Sequence, residues 1–297
     1  GEPTSIDFSP AASQVAVAIA ADSMGPGTVA MYQLPSFALV GQVPVGNLPD
    51  SIKFSPDGAY IVVANEGEPN DAFTVNPVGS VSIIKLSDMS VATASFDAYA
   101  SMSDTFIANG GHLPFQYDDD LDTTILDASL KSLPALLEPE FVTFSFTGGS
   151  DTAYVAIQEA NAIAVVDVAT ATITQLMPMG KQDHSLPMNT IDPNDNDWVV
   201  KLENYPMFSL YQPDSIVAFE HHGVTHIATA NEGDAMDYDG ATEEGRGNDL
   251  HNQMCPAQSD INAMLADGQD LARMKVTLSH GWDADNQCYS EVYGYGG

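Results

Sequence analysis

The chain has 297 residues and sets 41 acidic side chains against eight basic ones, a formal charge of −33. So few Lys and Arg exclude a nucleic-acid or anionic-lipid surface, both of which need basic patches, and favour cations as partners or a solvating acidic coat. No apolar run of 18 or more residues is present, so no transmembrane segment is expected.

The first unit opens at Glu2 with EPTSIDFSPAASQVAVAIAAD, followed by GTVAMYQL (27–34) and FALVGQVPVG (37–46). The second runs LPDSIKFSPDGAYIVVANEG from Leu48, then GSVSIIKL (79–86). The third runs EPEFVTFSFTGGSDTAYVAIQEAN from Glu138, then NAIAVVDV (161–168) and ATITQLMPMG (171–180). The fourth starts at Gln212 with QPDSIVAFEHHGVTHIATANEG. Period-two alternation of β-branched residues in Tyr60–Val63, Val81–Ile84, Ala153–Ile157 and Ala162–Val166 predicts strands. Ser55–Gly58 and Thr147–Ser150 supply turn chemistry between them.

Each unit begins at a proline (Pro3, Pro49, Pro139, Pro213) and reaches an acid (Asp22, Glu66, Glu159, Glu232) after 19, 17, 20 and 19 residues. Repetition at that regularity fixes architecture before any local reading does. Four short strands per repeated unit predict an all-β fold, a β-propeller of four-stranded blades with loop insertions. Residues 1–297 form one such region, with unit starts near 3, 49, 139 and 213 and insertions at 97–137 and 181–211. Helical periodicity is weak outside Asp127–Leu137 and Ile261–Met274. The chain opens inside a unit and stops in YSEVYGYGG, and is expected to be a fragment of a longer chain and of a seven-bladed ring.

The acids ending the units are expected to gather on one rim, with Glu68 and Asp71 following Glu66, and Asp234, Asp237 and Asp239 following Glu232. Hard cations such as Ca²⁺ take six to eight oxygens from carboxylates, amides and carbonyls. The metal set expected on this ground is Glu66, Glu68, Asp71, Glu159, Glu232, Asp234, Asp237 and Asp239, with Asp195 and Asp197 of the alternating DPNDND run (192–197). A second acidic run, Asp118–Asp122, lies in the first insertion. The competing reading is structural: Asn65 and Asn231 tie down turns and the glutamates cap backbone amides. His184, beside Asp183 and Lys181, is a candidate for acid–base or substrate contact, and Arg246 for clamping an anion. His280 stands alone, and no HExxH or GxSxG appears. Cys255 and Cys288 would pair as one disulfide in a secreted protein, or remain two core thiols otherwise.

These runs, with KQDHSLP and YQPDSIVAFEHHGVTHIATANEGDAMDYDGATEE, resemble the choice-of-anchor I domain of bacteria, itself similar to the mesenchyme-specific cell-surface glycoproteins of biomineralising animals. The resemblance implies a secreted or cell-surface propeller, and some members carry the label alkaline phosphatase. Two functions follow as expectations. One is an extracellular calcium-binding module for adhesion, surface assembly or mineral association, with divalent cations, other surface proteins or copies of itself as partners. The other is a metal-dependent phosphomonoesterase with an acidic, metal-loaded axial site. The missing nucleophile and the scarcity of cations favour the first.

Overall fold

Three of the four repeats fold into separate four-stranded antiparallel sheets, each strand bonded to the next in sequence. A computed structural model describes residues 1–114, 132–145, 149–239 and 241–296. The first sheet holds β1 (Glu2–Ser9), β2 (Gln14–Ala20), β3 (Pro26–Gln33) and β4 (Ala38–Asn47). The second holds β5 (Pro49–Phe54), β6 (Tyr60–Asn65), β7 (Ser80–Lys85) and β8 (Ser90–Ser95). The third holds β9 (Phe141–Phe144), β10 (Thr152–Ile157), β11 (Ala162–Asp167) and β12 (Thr172–Pro178). The acidic run Asp118–Asp122, Asp127–Lys131 of the expected helix, and Thr147–Gly148 of the expected turn lie outside the described residues.

The sheets stack face to face, and β6 shows why its sequence is apolar without a break. Ile61 and Val63 point into the core shared with the first sheet, beside Met31, Val43 and Ile52. Val62 and Ala64 point the opposite way, into the core shared with the third sheet, beside Val142, Val155 and Ala164. Alternation sends successive side chains to opposite faces, and here both faces are buried. On the far side of the third sheet, Ala156 and Ile163 meet Ile216 of the fourth unit.

A repeated set of side-chain bonds also joins neighbouring sheets. The Ile52 N–H donates to Ser5 Oγ (3.3 Å), and at the matching place one repeat later the Val142 N–H donates to Ser51 Oγ (3.3 Å). The Phe54 N–H donates to Asp7 Oδ2 (2.8 Å), and the Ala218 N–H donates to Thr143 Oγ1 (3.3 Å) at the equivalent position. The first strand of each later unit is a sheet edge, and its otherwise unpaired donors are satisfied by the unit before it.

The fourth repeat departs from the expected pattern. β13 (Lys181–Asp183) and β14 (Phe208–Leu210) precede it, and among the described residues its own β15 (Pro213–His221) and β16 (Val224–Asn231) pair only with each other. Past Asn231 the residues are small and acidic, without a further alternating run, so the strands are short: β17 (Asp237–Tyr238), β18 (Ala241–Thr242), β19 (Glu244–Arg246), β20 (Lys275–Thr277), β21 (Trp282–Asp283), β22 (Cys288–Tyr289) and β23 (Tyr293–Gly294). Strands β13, β14, β23, β20 and β19 form a mixed five-stranded sheet in that order, with β14 and β23 parallel. Helices are minor: α1 (Ser103–Ala108), α2 (Gly247–Leu250) and α3 (Ser259–Met264). The Cys255–Cys288 disulfide, closing a separation of 33 residues, is formed. It sits beside a third core of Tyr205, Leu250, Leu265 and Tyr289.

Candidate carboxylate site

The repeated Ala-Asn-Glu-Gly places its glutamate by backbone geometry. Asn65 is fully buried and donates from Nδ2 to Ser82 Oγ (2.9 Å) and Ser80 O (3.1 Å), pinning the end of β6 to β7. Glu66 N–H then donates to Leu48 O (2.9 Å), and Gly67 turns the chain at φ +75°. A Cβ on Gly67 would lie 2.6 Å from Pro77 O, and Gly233 of the second copy has φ +84° with Gly296 N 2.4 Å from its Cβ position. Both glycines meet a left-handed conformation and a close backbone approach that L side chains do not tolerate. The tetrapeptide therefore recurs for conformational reasons, and the glutamates are carried along with different results.

Glu66 and Glu159 come together; Glu232 does not join them. Burial, then the charges of Glu159 and Glu68, push the Glu66 carboxyl up to about 9. Glu159 is raised chiefly by burial, and its Oε2 is buried without a hydrogen-bond partner. Glu68 is raised by burial, with Asp71 and Asp234 adding to it, although the Tyr238 hydroxyl donates to its Oε1 (3.3 Å). Two members lie just ahead of β9. Glu138 is 1% exposed, both its carboxylate oxygens lack a hydrogen-bond partner, and burial followed by Glu159, Glu66, Glu68 and Asp234 raises it strongly. Glu140 is likewise raised by burial and then by Glu159. It accepts from Gln158 N–H (3.1 Å) and shares a hydrogen bond with Glu159 that raises Glu140 and lowers Glu159. Asp50 is raised by burial, then by Asp214 and Glu68. These acids come from the second, third and fourth repeats, and the charges that act most strongly on them are one another's.

Glu138 and Glu140 were missed because they open the third repeat instead of ending it. Their placement depends on Leu133–Leu137, a buried plug in the core between the second and third sheets. The available signal was the pair of acids flanking Pro139 in Glu138-Pro139-Glu140.

The other expected residues are placed elsewhere. Asp22 is exposed and pairs with the N-terminal amine (3.2 Å). Asp22, Glu68 and Asp71 line a surface cavity of about 330 Å³. Glu232, Asp234, Asp237 and Asp239 are exposed, and of these Asp234 alone figures among the charges felt by the buried acids. In the 192–197 run, Asp195 is taken by Arg273 (2.5 Å and 3.0 Å) and Asp197 accepts from Val199 N–H (3.0 Å). His184 is buried, with Nδ1 against Asn189 O and Nε2 against Ser209 Oγ, both 2.9 Å, an anchoring arrangement. Arg246 donates from Nη1 to Arg273 O (2.8 Å) and lines a cavity of about 270 Å³ with Arg273 and Asn248.

Repeated, propeller-like sheets, the two Ala-Asn-Glu-Gly turns and the acids they carry run the length of the chain, and so does the family match, over residues 1–297. The chain belongs to the choice-of-anchor I domain family. No curated protein matches it. Among solved structures, this choice-of-anchor I chain is similar to Kuenenia stuttgartiensis hydrazine synthase at 13% identity and TM-score 0.39, covering 76% of this chain and 58% of that one. It is similar also to a nidogen/laminin complex structure (9%, TM-score 0.33, 60% and 47%) and to dihydro-heme d1 dehydrogenase NirN (11%, TM-score 0.37, 77% and 32%). It thus spans less than two thirds of each of those chains. Among the described residues no helix is long and apolar enough to cross a membrane.

Proposed function

We propose that this choice-of-anchor I domain is an extracellular, calcium-binding β-propeller module serving adhesion, surface assembly or mineral association. The reading is carried by Glu138, a buried carboxyl whose two oxygens have no partner and whose surroundings are further acids. A buried carboxylate in that position is costly unless a proton or a cation neutralises it. All the donors are oxygens, which suits a hard cation such as Ca²⁺ over a softer transition metal. Glu66, Glu68, Glu138 and Glu159 would hold it. Among the described residues no three His, Cys, Asp or Glu are disposed as a finished ligand set, so the proposed ion has to draw these side chains inward.

An extracellular setting is supported by the Cys255–Cys288 disulfide, since such bonds persist in oxidising compartments. A ring of further blades is supported by the two outer faces of the stack. Ser5 and Asp7 face the second sheet, so Ile6 and Phe8 face away from it, 69% and 61% exposed. At the other end Ile216 and Ala218 are buried against the third sheet, while Val217 and Phe219 are exposed. Apolar sheet faces of this kind are normally covered.

The test is a thermal melt and calorimetric titration of the purified chain after EDTA treatment. Ca²⁺ should raise the melting temperature by binding the folded state, and Glu138→Gln with Glu159→Gln should remove the rise. Absence of any Ca²⁺-dependent shift at low salt would end the proposal. A metal-dependent phosphomonoesterase would use the same acids, and turnover of p-nitrophenyl phosphate in the same samples decides that alternative.

A further inference from the structure

A second cluster, built from residues the carboxylate site does not use, lies where the first insertion meets the C-terminal strands. His112 follows α1 and is 1% exposed, its N–H donating to Ala160 O (2.9 Å). His280 follows β20, its N–H donating to Thr277 Oγ1 (2.9 Å), with its ring against Tyr293 at 4.3 Å between centroids. The two Nδ1 atoms face each other at 3.4 Å, with the rings tilted by 53°. That is long for a direct N–H···N bond, since protein hydrogen bonds from nitrogen cluster near 2.9–3.0 Å, about 0.4 Å shorter. It does match the edge of a tetrahedral metal site: two nitrogens each about 2.1 Å from one ion stand about 3.4 Å apart.

Glu243 supplies the outer support. Its Oε1 lies 3.4 Å from His112 Nε2 and is 1% exposed, and it accepts from Ser279 Oγ (2.7 Å) and Ser279 N–H (3.3 Å). The Tyr295 hydroxyl donates to its other oxygen. Burial opposes the Glu243 charge, but the His112 ring and the Thr277 and Tyr295 hydroxyls hold its carboxyl below the usual range. Glu243 Oε1 thus sits behind His112 Nε2, 3.4 Å away and without a completed hydrogen bond, while Nδ1 on the other edge of the ring faces His280. That is the carboxylate–histidine arrangement that orients metal-binding imidazoles. Lys181, whose charge reaches His280, is engaged by Glu291 (3.2 Å), by the Tyr293 hydroxyl and by the Phe208 ring face.

We propose that His112 and His280 bind one borderline divalent ion of the Zn²⁺ class between their Nδ1 atoms, with Glu243 as positioning residue behind His112. Two nitrogen ligands leave two positions of a tetrahedral ion to water or to an exogenous ligand. Calcium does not compete, because imidazole pairs select Zn²⁺, Ni²⁺ or Cu²⁺ over hard cations.

The experiment titrates Zn²⁺ into the EDTA-treated full chain in the presence of excess Ca²⁺, following histidine ¹⁵N shifts by NMR alongside calorimetry. Binding should move Nδ1 of His112 and His280 at one equivalent. His280→Gln should abolish that equivalent, and Glu243→Gln should weaken it about tenfold or more. The exposed cluster of His221, His222 and His226 at the β15–β16 hairpin tip, with the first two rings 4.0 Å apart, is removed by a triple Gln variant to silence surface binding. Because His112 is buried and its loss endangers folding, the half-buried His280 carries the test, with circular dichroism checking the fold. Zn²⁺ binding that leaves both Nδ1 shifts unmoved, or that keeps its affinity in His280→Gln, overturns the site. Neither result touches the Ca²⁺ proposal.

Discussion

Replacing Glu66 by Gln should make this chain less sensitive to alkali. In the folded protein the Glu66 carboxyl titrates near 9, raised from an ordinary 4.5 by burial and by Glu159. A carboxyl raised on folding contributes stability that is fully present below its unfolded value and is lost as pH climbs through its folded value. Each unit of pH between the two values removes about 1.4 kcal/mol. Glu66 therefore withdraws about 3 kcal/mol between pH 4.5 and 7, and about 2 kcal/mol more by pH 9, where the folded form is half ionised. His280, lowered to about 3, acts in the opposite sense between about 3 and 6.5 and is silent above it. Urea unfolding of wild type and Glu66→Gln in EDTA at pH 7 and pH 9 isolates the term by difference. The wild type should lose about 2 kcal/mol more than the variant over that interval. Excess Ca²⁺ should reverse the wild-type trend, since a cation replaces the proton. Equal pH slopes for the two proteins would refute the buried, charge-crowded placement of Glu66.

Reduction of Cys255–Cys288, or Cys288→Ser, should cost about 3–4 kcal/mol on the loop-entropy account for a separation of 33 residues, read as a lower urea midpoint. Gly67→Ala should destabilise by more than the ~1 kcal/mol of an ordinary Gly-to-Ala strain, because its Cβ would also press on Pro77 O; an unchanged melt would contradict the turn. Asp7→Ala strips the acceptor from Phe54 N–H and should cost about 1–3 kcal/mol, with faster amide exchange at Phe54. Exchange unchanged at that amide would show that the bond between the first and second sheets carries nothing.

Much of the fold was legible because its information is local. Alternation in Tyr60–Val63 and Ala162–Val166, the Ser55–Gly58 turn and the proline-to-acid spacing all concern neighbours in sequence, and the three complete sheets follow from them. The fourth repeat copies the same opening, yet only β15 and β16 pair as expected. The remainder of that unit lacks alternating runs, and its segments join a mixed sheet whose partners lie up to 85 positions apart, as Phe208 pairs with Tyr293. Such pairings leave no periodic trace. The candidate sites fail to show for the same reason. Glu66 and Glu159 were marked by the repeat, but Glu138 owes its position to the Leu133–Leu137 plug, and His112 meets His280 across 168 residues.

The repeat also explains why equivalent glutamates part company. Selection for Ala-Asn-Glu-Gly can act through the asparagine and the glycine, which serve the turn wherever it occurs, while the glutamate between them is free to differ in role. At Glu66 the third sheet and the leucine plug close over the turn, and the carboxyl is forced into a low-dielectric crowd. At Glu232 the hairpin β15–β16 has no third strand beside it among the described residues, and the same tetrapeptide leaves its carboxylate exposed. A further sheet laid on the exposed Val217 and Phe219 face would change the surroundings of Glu232 as the third sheet changes those of Glu66.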